Sequence, residues 1–162
     1  MSMSTEIERR FIVRDGFPHE EVTGTEHIRQ GYLPLVPGDS EVRVRRRGGR
    51  EFMTVKSGSG LVRTEHEEPI SPALFDALWP LTESRSVVKE RHIVPLPGNH
   101  SAEVDVFEGR LTGLVTVEVE FESTEAAHDF VAPAWFGPET THDPRFQNRS
   151  LALIADLTEL QL

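Results

Sequence analysis

The sequence predicts an α+β fold built on eight antiparallel strands, an open sheet or a barrel, with helices beside it. Short runs rich in β-branched and aromatic residues recur at close spacing through the first two thirds of the chain. Tight-turn chemistry separates them: Pro37-Gly38-Asp39, Gly48-Gly49, Ser57-Gly58-Ser59-Gly60, Pro97-Gly98-Asn99 and Gly109. Inside seven of the eight runs, charged and apolar residues alternate, so those strands present one charged and one mostly apolar face. At 162 residues the chain, 1–162, is expected to form a single domain with enough length to bury a core.

In chain order, strands are expected at about 5–13, 25–33, 40–47, 51–57, 62–69, 86–94, 101–107 and 115–122. A first helix opens at Ser71-Pro72, with Ser as N-cap and Pro at the first helical position. Its apolar stripe is Leu74, Phe75, Leu78 and Trp79. Ser123 or Thr124 caps a second helix over about 124–131. A third is expected over about 146–160, where Leu151, Ile154, Leu157 and Leu160 fall at helical spacing. The stretch from Pro133 to Pro144 reads as an ordered loop anchored by Trp135 and Phe136.

The charged faces carry the chemistry. Glu6, Glu8 and Arg10 share one face of the first strand, and Ile7, Arg9 and Phe11 the other. Arg43 and Arg45 align against Val42 and Val44; Thr54 and Lys56 align against Met53 and Val55. The next strands repeat the device with Arg63, Glu65 and Glu67, then with Lys89 and Arg91. Glu103 and Asp105, and finally Glu118 and Glu120, set acids against valines. A solvated face is one reading, but such faces mix in Ser, Gln and Thr, and Glu is a poor strand former. Here the face is nearly pure Glu and Arg or Lys. Turned inward, it makes a charged lumen in which carboxylates hold divalent cations and arginines hold a linear polyanion.

Composition narrows the classes. The chain has no Cys, which rules out disulfides, zinc–thiolate sites and a thiol nucleophile. The reducing cytoplasm is the expected location. No apolar run approaches the ~20 residues of a membrane helix, and Met1-Ser2-Met3-Ser4 begins no signal peptide. A net charge of −10 argues against a nucleic-acid partner.

Taken in order, these residues resemble the CYTH superfamily, the triphosphate tunnel metalloenzymes. The family's opening Glu-x-Glu-x-Lys corresponds to Glu6, Glu8 and Arg10. Gln30-Gly31-Tyr32-Leu33, Val42-Arg43-Val44-Arg45, Thr54-Val55-Lys56, Arg63-Thr64-Glu65-His66-Glu67, Lys89-Glu90-Arg91, Asp105-Val106-Phe107 and Glu118-Val119-Glu120-Phe121 are similar to its later strands. The tail from Trp135-Phe136-Gly137 through Arg145-Phe146 to Asn148-Arg149-Ser150-Leu151-Ala152 is similar to bacterial members. The resemblance covers essentially the whole chain. It implies an eight-stranded antiparallel barrel forming a tunnel, helices outside, and hydrolysis or rearrangement of a triphosphate with one or two Mg²⁺ or Mn²⁺ ions.

Carried over residue by residue, the resemblance implies metal ligands at Glu6, Glu8, Glu118 and Glu120, joined by Glu67 and Asp105. It implies phosphate ligands at Arg10, Arg43, Arg45, Lys56, Arg63, Lys89 and Arg91. One acid among Glu65, Glu67 and Asp105 is expected to position the attacking water. Tyr32 and Lys89 match positions associated with preference for inorganic triphosphate. Arg10 departs from the family's Lys: it keeps the charge but cannot release a proton.

The expected partner is therefore a small-molecule triphosphate, with no nucleic acid and no membrane, and a homodimer as the form of any self-association. The alternatives are an adenylate cyclase, a thiamine triphosphatase, or a non-catalytic binding module for polyphosphate or nucleotides. Other features resolve into structure. His27, His66, His92, His100, His128 and His142 lack zinc-like spacing, and Gly58-Ser59-Gly60-Leu61 lacks the Gly-Lys-Ser/Thr of a phosphate loop. In Arg45-Arg46-Arg47, alternation turns Arg46 away from the lumen.

Overall fold

The computed structural model describes residues 7–34, 40–57 and 64–162. Strands β1 (Ile7–Ile12), β2 (Gly24–Tyr32), β3 (Glu41–Arg47), β4 (Arg50–Ser57), β5 (Thr64–Pro69), β6 (Ser86–Leu96), β7 (His100–Phe107) and β8 (Val115–Phe121) form one sheet in the order β1-β8-β7-β6-β2-β3-β4-β5. Every pairing is antiparallel. Each strand falls on the run expected for it. Among the described residues, no helix is long and apolar enough to cross a membrane.

Closure is where the sheet departs from expectation. Its edges are β1 and β5, and among the described residues nothing pairs them. The reason lies in the loop at residues 137–141, which occupies the free edge of β1. Ile12 N donates to Pro138 O at 2.9 Å, Gly137 N to Ile12 O at 2.7 Å, and Thr140 N to Arg10 O at 2.7 Å. Arg10 N donates to Thr141 Oγ1 at 3.0 Å. With these backbone groups satisfied, β1 has little left to offer β5.

Helix α1 (Pro72–Leu78) starts as expected, Ser71 Oγ accepting from Leu74 N at 3.1 Å. It continues into a 3-10 turn, Trp79–Thr82. The Arg46 guanidinium lies 4.4 Å over the Phe75 ring, and that of Arg29 4.5 Å over Trp79. Arg46 also pairs with Glu51 and Asp76, so it faces outward, as alternation requires. Helix α2 (Thr124–Asp129) is capped by Ser123.

The third helix is a correction. Instead of one helix over 146–160 there is a single turn, α3 (Asn148–Leu151), and a separate 3-10 turn, Leu157–Leu160. Arg110 breaks it. Its guanidinium takes the carbonyls of Leu151, Ala152 and Ile154, which a continuous helix would direct along its own axis. Asp156 then caps the second turn, accepting from Thr158 N at 2.8 Å.

Two apolar clusters follow. One covers the outer face, where Val104, Val117, Val119 and Phe121 pack with Phe11, Phe17 and Phe136. Phe136 thus anchors its loop as expected. The other lies on the inner face at one end: Ile12, Tyr32, Val87 and Phe107 are covered by Phe146, Leu151, Ala152 and Leu160. The C-terminal segment therefore packs into one mouth of the curved sheet.

Gly31 locks β2 to the 3-10 turn Trp79–Thr82. A Cβ there would stand 2.5 Å from Thr82 Cβ, and Thr82 is buried with its hydroxyl donating to Trp79 O at 2.7 Å. Gly31→Ala is expected to cost about 1–3 kcal/mol through overpacking, read by denaturant unfolding. An unchanged midpoint would show that the Trp79–Thr82 turn yields.

Candidate active site

Register decides which residues meet. Arg10, Glu118 and Glu103 lie directly across successive strands; so do Thr116, Asp105 and Arg91. Gln30 opposes Arg45, and Tyr32 opposes Arg43, which in turn opposes Thr54. Opposed residues share a face, so the charged faces of β1, β2, β3, β4, β6, β7 and β8 are one continuous inner surface. It encloses a cavity of about 480 Å³. The cavity is polar on two walls of opposite character.

The cationic wall comes from β3, β4 and β6: Arg43, Arg45, Arg47, Lys56, Lys89 and Arg91 line it. Among the described residues, no acceptor takes the buried Nε–H of Arg43 or that of Arg45. A buried, unpaired donor is costly, and here two point the same way chemically: toward an anion. Burial, with Arg43 beside it, lowers the Arg45 pKa from its ordinary value. Thr54 Oγ1 receives Arg43 at 3.2 Å and donates to Glu67 at 2.8 Å. Lys56 pairs with Glu65 at 3.3 Å.

At the heart of the site is a buried charge cluster. Lys89 is 2 % exposed and Asp105 0 %. Lys89 Nζ donates to Asp105 Oδ2 at 2.5 Å. Arg91 forks onto both Asp105 oxygens at 2.7 Å each and also reaches Glu103. Burial alone would raise the Asp105 pKa, but Lys89 and Arg91 outweigh it and hold the carboxyl down at about 2. Burial pulls the Lys89 ammonium below its ordinary value, partly offset by Asp105. Burial also opposes the Arg91 charge, yet its bonds to Asp105 keep it firmly protonated. One carboxylate thus locks two cations at the cavity wall.

The acidic wall comes from β1, β7 and β8. Glu8 opposes Glu120, and Glu103 opposes Glu118, in direct cross-strand pairs. Like charges so placed repel. Arg10 relieves part of this, donating to Glu118 at 2.8 Å and to Glu8 at 3.1 Å. Burial, with Glu118 and Asp105 nearby, raises the Glu103 pKa. Glu120 has no ion pair among the described residues. Oxygen-only carboxylate donors in opposed pairs suit a hard divalent cation. Among the described residues, no three acids or histidines converge closely enough to form a finished cage.

Of the expected site residues, the cavity gathers Glu8, Arg10, Tyr32, Arg43, Arg45, Lys56, Lys89, Arg91, Glu118 and Glu120. Glu6 and Arg63 lie outside the described residues. Asp105 stands behind the wall, and Glu65 and Glu67 sit on the edge strand β5, exposed and outside the cavity lining. Tyr32 is buried, its hydroxyl accepting from Gln30 Nε2 at 2.9 Å; burial raises its pKa, which keeps the phenol neutral. The structure adds Glu41 and Arg47, which the Arg43–Arg45 alternation extends to in both directions. It also adds Gln147, Asn148 and Arg149 from α3 and the residue before it. No periodicity marks these three, because a single helical turn has none.

The chain matches no family model. It is 47% identical over 149 residues to an inorganic triphosphatase of Nitrosomonas europaea, covering 92% of this chain and 97% of the relative. An inorganic triphosphatase of Acetivibrio thermocellus is 36% identical over 152 residues, covering 92% and 94%. A crystal structure of an inorganic triphosphatase superposes with a TM-score of 0.80 at 44% identity, covering 96% of this chain and 99% of that one. A Hippeastrum adenylyl cyclase candidate with dominant triphosphatase activity shares the fold at 15% identity, with a TM-score of 0.56 over 76% and 83% of the two chains. Identity near one half over nearly the full length of both chains, on the same fold, shows that this chain belongs to the inorganic triphosphatase family.

Proposed function

We propose that this chain hydrolyses inorganic triphosphate to pyrophosphate and phosphate, as a triphosphate tunnel metalloenzyme of the CYTH superfamily acting in the cytoplasm. The observation that carries it is the two-walled cavity, lined on one side by arginines whose buried Nε–H groups have no partner among the described residues and on the other by opposed carboxylate pairs. A linear anion of high charge complements the first wall, and its bound cations complement the second.

Glu8, Glu118 and Glu120, with Glu6, would hold Mg²⁺ or Mn²⁺, which would supply neutralisation of phosphate charge and acidification of a bound water. Arg43 and Arg45 bind phosphate oxygens through the donors left unpaired. Lys89 and Arg91, fixed by Asp105, stabilise charge on the phosphoryl group and on the pyrophosphate leaving oxygen. Arg10 keeps a positive charge at the junction of the two walls, and Lys56 and Arg63 extend the cationic wall. Tyr32, neutral and buried, offers a hydroxyl rather than a base. Of the acids expected to orient the attacking water, Asp105 is sealed behind Lys89 and Arg91, which leaves Glu65, beside Lys56, and Glu67, beside Arg43 and Arg45, as the proposed ones. Water adds to the terminal phosphorus, the bond to the bridging oxygen breaks, and the water's proton leaves through an acid of this set.

The test is phosphate release with Mg²⁺ and with Mn²⁺ over triphosphate, ATP, thiamine triphosphate and pyrophosphate. Triphosphate is expected to be split fastest, with pyrophosphate accumulating. Cyclic AMP from ATP would sink the hydrolase reading. Tight triphosphate binding without turnover would make the domain a binding module.

A further inference from the structure

Lys89 is an ammonium with three donors, and two are fixed. One goes to Asp105 on the adjacent strand at 2.5 Å; the other goes to Asn148 Oδ1 on α3 at 3.1 Å. In a tetrahedral ammonium, two fixed N–H directions determine the third, and Lys89 lines the cavity. Asp105 alone would let the ammonium swing about its carboxylate.

Asn148 is itself held firmly. Leu151 and Ala152 are buried with Tyr32 and Phe107, Arg110 donates to the carbonyls of both at 3.1 and 2.7 Å, and Arg149 pairs with Glu41 at 3.1 Å. An amide oxygen also accepts without adding charge. A carboxylate in its place would compete with phosphate for the same ammonium.

We propose that Asn148 is a positioning residue that aims Lys89 Nζ at the triphosphate, making α3 part of the active site. This rests on the proposed triphosphate hydrolysis, in which Lys89 contacts phosphate.

The experiment measures kcat, KM and Tm for triphosphate hydrolysis in the wild type, Asn148→Ala, Asn148→Asp, Lys89→Ala and the double variant Lys89→Ala/Asn148→Ala. An inactive wild type would sink the functional reading, whatever the variants do. With an active wild type, Asn148→Ala is expected to lose about tenfold or more in kcat at unchanged Tm. In the Lys89→Ala background the same change should cost almost nothing, read by triphosphate-binding calorimetry where turnover is too slow. Asn148→Asp keeps the shape and should raise KM more than it lowers kcat. Wild-type kcat in Asn148→Ala, or an equal loss with and without Lys89, overturns the proposal. Should Asn148→Ala fail to fold, unchanged kcat and KM in Asn148→Asp overturn it instead.

Discussion

Replacing Asp105 with Ala is expected to lower the unfolding free energy by about 3–5 kcal/mol, because it leaves two buried cations uncompensated. For a chain of this length that corresponds to a fall in Tm of roughly 6–20 °C. Among the described residues, Lys89 would keep Asn148 and the Phe107 ring, and Arg91 would keep Glu103 and the more distant Glu118 at 3.5 Å. The pH dependence has a definite sign. The Asp105 carboxyl is held at about 2 when folded, against about 3.9 unfolded. Its stabilisation is therefore complete above about pH 4 and is lost as pH falls toward about 2. The gap between wild type and variant, followed by thermal unfolding, should narrow across that window. A gap that stays constant, or a variant as stable as the wild type, would mean that Asp105 does not hold the pair together.

Neutralising the acidic wall should act in the opposite sense on stability. Glu8→Gln with Glu120→Gln removes a directly opposed carboxylate pair. Like-charge repulsion across the β1–β8 ladder disappears, so the fold is expected to be unharmed or slightly stabilised, by a few tenths of a kcal/mol. Metal-dependent turnover should fall about 10³-fold or more, since charge neutralisation and water activation both depend on these oxygens. Calorimetric titration with Mn²⁺ should lose its binding isotherm. Retained turnover would remove Glu8 and Glu120 from the proposed metal site. A loss of stability would show that the pair serves the fold instead.

Much of this site was legible from alternation alone. A strand period of two sorts side chains by face without reference to anything distant, so the placement of Arg43, Arg45, Lys89 and Arg91 on one face and Arg46 on the other followed directly. What alternation could not show is depth. Asp105 and Glu118 have the same period and the same chemistry, yet Asp105 is wholly buried behind two cations while Glu118 faces the cavity. The difference comes from which residues flank each in register, and register is a property of paired strands. Helical periodicity misled at the C-terminus for a related reason. Leu151, Ile154, Leu157 and Leu160 have helical spacing, but Arg110, forty-one residues before Leu151, claims the carbonyls that such a helix would need.

The sequence by itself determined the number and order of strands, the helix cap at Ser71 and the start of the second helix at Ser123 or Thr124, and the charged face that holds the chemistry. These depend on local propensity, capping and a two-residue repeat, all written within a few residues. Only the tertiary structure decided that the two charge signs separate into facing walls, that the 137–141 loop takes the edge of β1, and that Asn148 reaches Lys89. Each of those outcomes depends on backbone or side-chain groups distant in the chain satisfying one another's hydrogen bonds, and no local pattern encodes which partner arrives.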